Sequence, residues 1–150
     1  LDLPPGTGDI QLTMAQKLPV AGAVVVTTPQ DLSLLDAKKA ISMFQKVDIS
    51  VLGIVENMSG HVCEACGHTT PLFGQHGGEH LAAHYHVPLL AEIPLTKAIC
   101  DHTECGVPTV VKAPESKEAL QYINMAQRVA ASLSKRPVDL NIHMKLTETA

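Results

Sequence analysis

Apolar positions along this chain change their period in a regular order. Gly22 to Thr28 (GAVVVTT) is a continuous, β-branched run, which predicts a strand buried on both faces, as in a parallel sheet. Pro29 ends it. From Asp31 to Lys46 the spacing turns helical: Leu34, Ala37, Ile41 and Phe44 fall on one face, Asp36 and Lys39 can pair on another, and Asp31 is the expected N-cap. Ile49 to Val55 (ISVLGIV) reads as the next buried strand, which runs into Glu56-Asn57 and then breaks into a loop. Strand, helix, strand makes a βαβ unit, right-handed by strong preference.

The same reading gives the remaining elements. Ile10 to Leu18 is a short helix and Pro71 to Gly74 a short extended piece. Gly77-Gly78 opens a helix to about His86, and Val87 to Pro94 (VPLLAEIP) is a third strand. Thr96 to Glu104 is a loose turn or short helix, and Val107 to Val111 is extended. Ser116 caps a long helix to Ser134, with Leu120, Ile123, Ala126, Ala130 and Leu133 on one stripe. Lys135-Arg136-Pro137 stops that helix, and Val138 to Ala150, without a clear period, reads as a tail. The expected organisation is one α/β unit over residues 1–135, a mostly parallel sheet with helices on both faces, followed by a tail over 136–150.

Composition narrows the function classes. The 150 residues suffice for one domain with a core, and 45% hydrophobic with 17% charged residues is an ordinary globular balance. A net charge of −4 with no basic run speaks against a nucleic-acid partner, and 3% aromatic residues with no Trp speaks against base stacking. No apolar stretch is long enough to span a bilayer and no signal peptide opens the chain, so no membrane association is expected. Four clustered cysteines fit a reducing, cytoplasmic compartment better than a secreted disulfide framework.

The chemistry concentrates in Asn57 to Gly67 (NMSGHVCEACG). Cys63 and Cys66 form a C-x-x-C pair closed by Gly67, a spacing that lets one turn aim both sulfurs at one point. Such a pair suits a metal, a cluster or a redox disulfide, and does not choose among them. Tetrahedral zinc or an iron–sulfur cluster usually takes four thiolates, so two more ligands must come from elsewhere in the chain or from a second copy. Flanking His61, Glu64 and His68 make the segment too polar for two plain buried cysteines, and His61 or His68 could complete a zinc site. Cys100 and Cys105 are four residues apart and read as incidental thiols, although a meeting of all four cysteines would make a Cys₄ site within one chain. His80 and His84 share a helix face without the glutamate placement of H-E-x-x-H, and are expected as exposed histidines. At the start, LDLPPGTGD looks like a strand end passing into a tight loop: it is either a plain Pro/Gly turn, or a site where a carboxylate at the strand's end holds a Mg²⁺-bound water and a following glycine brings its N–H against a terminal phosphate.

These segments together, LDLPPGTGD, VENMS, VCEACG, LFGQHGGEHLA, VPLLAEIPL and GVPTVV, resemble in order and spacing the Mrp/ApbC family of iron–sulfur cluster carriers, which belong to the MinD-like deviant P-loop ATPases. The resemblance runs from Leu1 to about Leu133. It implies a P-loop fold in which Asp2 is the Walker B acid acting on Mg²⁺ through water, and Pro5 and Gly6 belong to the switch that senses the γ-phosphate of ATP. It implies that Asn57 hydrogen-bonds the adenine and that Pro94 borders it. It implies that Cys63 and Cys66 from both subunits of a homodimer hold a bridging [4Fe-4S] cluster for delivery to apo iron–sulfur proteins. One departure is large: no G-K-G-G-x-G-K-[ST] loop is present, so the sheet is expected to lack its first strands and this chain alone is not expected to hydrolyse ATP. A zinc-stabilised interaction module and a MinD/ParA-like positioning ATPase are the competing readings; the tail lacks the basic amphipathic pattern of a membrane-targeting helix.

Overall fold

The computed structural model describes residues 1–3, 8, 9, 12, 13, 17, 18 and 20–135. The expected helix at Ile10–Leu18 falls in the main outside that set, as do Pro5, Gly6 and the tail from residue 136. Along the described chain run β1 (Ala23–Thr27), α1 (Asp31–Lys46), β2 (Val51–Val62), β3 (Thr69–Thr70), α2 (Gly77–Tyr85), β4 (Leu89–Leu95), α3 (Lys97–Glu104), α4 (Thr109–Lys112) and α5 (Lys117–Ser134). No helix among the described residues is long and apolar enough to cross a membrane.

β2 is the axis of the sheet. β1 pairs with it in parallel from Ala23↔Val51 to Thr27↔Glu56, and β4 pairs in parallel from Ile54↔Leu89 to His61↔Leu95. Leu52 to Glu56 is buried without interruption, as a strand covered on both faces must be. Alternate side chains feed two cores. Val25 and Ile54 face α1 and α2, meeting Ala37, Ile41, Phe44, Leu81 and Ala82. Val55, Leu90 and Ile93 face the other way, against Ile99, Tyr122, Met125 and Val129 of α3 and α5. Burying a side chain such as Ile54, at 0% exposure, contributes about 2 kcal/mol. The expected α/β sheet with helices on both faces is what forms.

The differences from the sequence reading are local. β1 is not buried on both faces: Val24 packs into the second core, but Val26, two residues on, is 62% exposed. Gln30, not Asp31, is the N-cap of α1, and Asp31 places its charge in the first turn, where the helix dipole favours it. Val107–Val111 is not extended. Gly106 turns the chain at φ +68°, and Pro108, with φ −56°, leads into the short helix α4. The extended piece is Thr69–Thr70 rather than Pro71–Gly74. Ser116 does cap α5, accepting from the Ala119 N–H at 3.1 Å. The face of α5 that packs inward, however, is Ala119, Tyr122, Met125 and Val129; Leu120, Ala126, Ala130 and Leu133 of the expected stripe are exposed.

Candidate functional site

β2 does not end at Val55; it continues through Asn57 to Val62. Asn57 pairs with Ile93 and His61 with Leu95, so three residues, Met58 to Gly60, stand opposite the single residue Pro94. Proline has no N–H to give to a ladder, and the bulge forms where that donor is missing. Met58 sits at φ +56°, and its N–H donates to Asn57 Oδ1 at 3.0 Å. The half-buried Asn57 side chain thus has its oxygen engaged locally, while its amide nitrogen donates to no described residue. Asn57 and Pro94 are brought together on adjacent strands at one break in the sheet.

Past the bulge, His61 pairs with Leu95 on one side and with Thr70 of antiparallel β3 on the other. β2 and β3 make a hairpin whose tip is the C-x-x-C turn. The Cys63 N–H donates to the His68 carbonyl at 2.9 Å, and the Gly67 N–H donates to the Cys63 carbonyl at 2.8 Å. Gly67 sits at φ +70° with open space where a Cβ would be, so the turn requires glycine for its backbone conformation and not for room. Both cysteines are free thiols, Cys63 half-buried and Cys66 exposed. The Cys66 backbone N–H, then that of Ala65, then the Cys66 side chain hold the Cys63 thiol below its ordinary value. A thiolate favoured in this way is the form that ligates metals.

His61, Glu64 and His68 are exposed, and among the described residues no three His, Cys, Asp or Glu side chains converge to hold a metal ion. Among the described residues the tip offers two thiols and no third ligand from that set. Cys100 and Cys105 are exposed, on α3 and at its end, and join the tip cysteines in no metal-holding group among the described residues. Thr96 caps α3, and Lys97 bonds Asp101. The Lys97 ammonium is held above its ordinary value first by that bond to Asp101, with a smaller contribution from Glu64 of the tip. His80 and His84 are exposed on α2, as expected.

Asp2 is exposed, and the neighbouring Leu3 packs against the first core. Pro5 and Gly6 lie outside the described residues, so no geometry joins the three.

One residue was missed by the sequence reading. Glu56, beside Asn57, is 1% exposed, and its Oε2 accepts from the Gly78 N–H at 2.5 Å. It clamps the first turn of α2 to β2, and a negative charge there meets the positive end of the helix dipole. The signal was available: a carboxylate directly after five apolar strand residues must be satisfied if the strand is buried.

Comparison with known proteins supplies the context. The family model described as "ParA: NUBPL iron-transfer P-loop NTPase" matches residues 1–130. The chain is 58% identical over 133 residues to the iron–sulfur cluster carrier protein of Escherichia coli strain K12, covering 89% of this chain and 36% of that protein. It is 43% identical over 137 residues to the mouse iron–sulfur cluster transfer protein NUBPL, covering 91% of this chain and 43% of that one. The chain therefore spans about two-fifths of the length of these relatives. Among solved structures, a nucleotide-binding protein from Archaeoglobus fulgidus in complex with ADP superposes with a TM-score of 0.66 at 38% identity, covering 80% of this chain and 48% of that one. The cell-division ATPase MinD of Pyrococcus furiosus superposes at 0.56 with 30% identity, covering 74% and 43%.

Proposed function

The chain belongs to the ParA family of NUBPL-type iron-transfer P-loop NTPases, and from that membership we propose that the protein of which it forms part carries a [4Fe-4S] cluster as cargo. In this reading two copies of the chain present their hairpin tips to one another, and Cys63 and Cys66 of each supply the four thiolates that the cluster needs. The observation that carries it is the donor set of the tip: two accessible sulfurs within one turn, one of them favoured as thiolate, and no third converging ligand among the described residues. A zinc site closed within one chain would need His61 or His68 to converge with the cysteines. The absence of any such convergence among the described residues weighs against it.

The same reading makes the protein a cytoplasmic ATPase. The residues at the bulge fit an adenine: the Asn57 amide nitrogen is a free donor among the described residues, and Pro94 offers an apolar edge beside it. Asp2 would hold Mg²⁺ through water, with Pro5 and Gly6 beside the terminal phosphate. Bound ATP-Mg²⁺ supplies the phosphoryl chemistry, while Asn57 selects the base. Apo iron–sulfur proteins would receive the cargo.

Anaerobic reconstitution with iron and sulfide tests the proposal. The expected product is a dimer with a broad charge-transfer band at roughly 400 nm, typical of thiolate-bound clusters, and with iron and sulfide in equal amounts. Both signals should vanish in Cys63→Ala and Cys66→Ala, with nucleotide binding retained. Unchanged iron and sulfide in either variant overturns the assignment, and a colourless monomer holding one zinc favours the interaction module.

A further inference from the structure

α5 carries apolar residues on two faces, and among the described residues only one of them packs into the core under the sheet. Ala119, Tyr122, Met125 and Val129 pack inward. Leu120, Ile123, Ala126, Ala130 and Leu133 recur at helical spacing on another face, with Leu120 47% and Leu133 36% exposed. That second stripe runs into a groove of about 630 Å³ between α3, α4 and α5. Ile99, Val107, Pro108 and Val110 line the groove from one side, and Ile123 and Ala126 from the other. Ile123 and Ala126 belong to stripe and groove alike, so the two form one apolar track.

We propose that this track is the docking site for the chain's own segment Val138–Leu146. Three observations favour that occupant. The first is pattern: Val138, Leu140, Ile142, Met144 and Leu146 alternate with Asp139, Asn141, His143 and Lys145. No period holds over the whole of 138–150, but 138–146 within it alternates with a period of two that the tail reading passed over, and in an extended chain such a period would put every apolar side chain on one side. The second is position: α5 lines the track and leads directly into the segment, and Pro137 marks where its helix cannot continue. The third is reach. Ala126 lies eight residues before the end of α5 at Ser134, roughly 12 Å along the axis. The eleven residues from 136 to 146 span roughly 35 Å when extended, enough to reverse and run back past Ile123.

Hydrogen exchange of the full chain, read by mass spectrometry, tests this. In the unmodified protein, amides of 138–146 should exchange at least about tenfold more slowly than a free chain. In the double variant Leu140→Asp/Ile142→Asp, protection should disappear from that segment, and peptides covering Val107–Val111 and Leu120–Ala130 should exchange several-fold faster. Replacing the polar positions instead, Asn141→Ala/His143→Ala, should leave the pattern unchanged. The proposal is overturned if 138–146 exchanges as a free chain in the unmodified protein, or if the double variant leaves the groove peptides unaltered. Protection that fades on dilution would also overturn it, because it would assign the track to the segment of a second copy.

Discussion

Adding one methyl group at Gly78 should cost more than adding one at Gly77, although the two residues are neighbours in the same helical turn. A Cβ at Gly78 would lie 2.9 Å from Glu56 Cβ, 3.0 Å from Glu56 Oε2 and 3.4 Å from Leu89 Cδ1. Relaxed carbon contacts sit at about 3.5–4.0 Å. Glu56 Cβ is fixed to the central strand and cannot swing away, so the helix must move. That movement also stretches the bond from the Gly78 N–H to the buried carboxylate. Overpacking of this kind costs about 1–3 kcal/mol, and part of a charged hydrogen bond worth about 1.5–3 kcal/mol is lost with it. Better helix propensity returns at most about 1 kcal/mol. The expected net loss for Gly78→Ala is therefore about 2 kcal/mol. A Cβ at Gly77 would meet Leu34 Cδ1 at 2.7 Å and Cδ2 at 3.2 Å, both ends of a side chain that can rotate, and only Pro29 Cα at 3.3 Å is fixed. Gly77→Ala should lose less than about 1 kcal/mol once propensity is counted. The chain has no Trp, so urea unfolding is followed by far-UV circular dichroism. With a slope of about 2 kcal/mol per molar urea, Gly78→Ala should lower the midpoint by about 1 M. A midpoint shift in Gly78→Ala no larger than that in Gly77→Ala, at unchanged slope, would refute the clamp.

Three further outcomes follow from the site and its supports. Asn57→Ala should weaken adenine-nucleotide binding by the intact protein by about tenfold, one hydrogen bond's worth, with phosphate-only ligands unaffected; titration calorimetry checks both arms. Cys63 should alkylate with iodoacetamide along a pH profile displaced downward from an ordinary thiol, because neighbouring N–H groups favour its thiolate. Its advantage over an ordinary thiol should be largest near neutral pH and fade only well above 9.0, the ordinary value at which a thiol is half ionised. Ser116→Ala removes the cap that accepts from the Ala119 N–H and should cost about 1 kcal/mol in the same urea assay.

Much of the architecture was legible because it rests on apolar period. The β-branched run at Ala23–Thr27, the stripe of α1 and the strand VPLLAEIP each bury a recognisable pattern. What was not legible rests on backbone pairing. ENMSGHV reads as a turn, since Asn, Ser and Gly favour turns, yet it is strand because β4 and β3 occupy its two edges. The α5 stripe was misassigned for a different reason. Two apolar faces share that helix, and periodicity cannot say which one a sheet will cover. Glu56 was passed over because a lone acid after an apolar run looks like a strand's end. At the candidate site, the placing of Asn57 opposite Ile93 and so next to Pro94 follows from strand register, which no single sequence displays.

β2 is held at its root by a parallel neighbour on each side, and near its far end by only two residues of β3 and the last pairing of β4. It is a cantilever, braced on both sides around Val55 and Glu56 and with few pairings beyond His61. Cys63 stands just past the end of β2, six residues beyond Asn57 in sequence, although the bulge sets four steps of β2 against only two of β4 and so draws the tip closer than a straight strand would. An object carried at such a tip can be met from several directions by a second body without any rearrangement of the core. The fold thus sets the two sulfurs apart from the stretch of strand that neighbours brace on both sides.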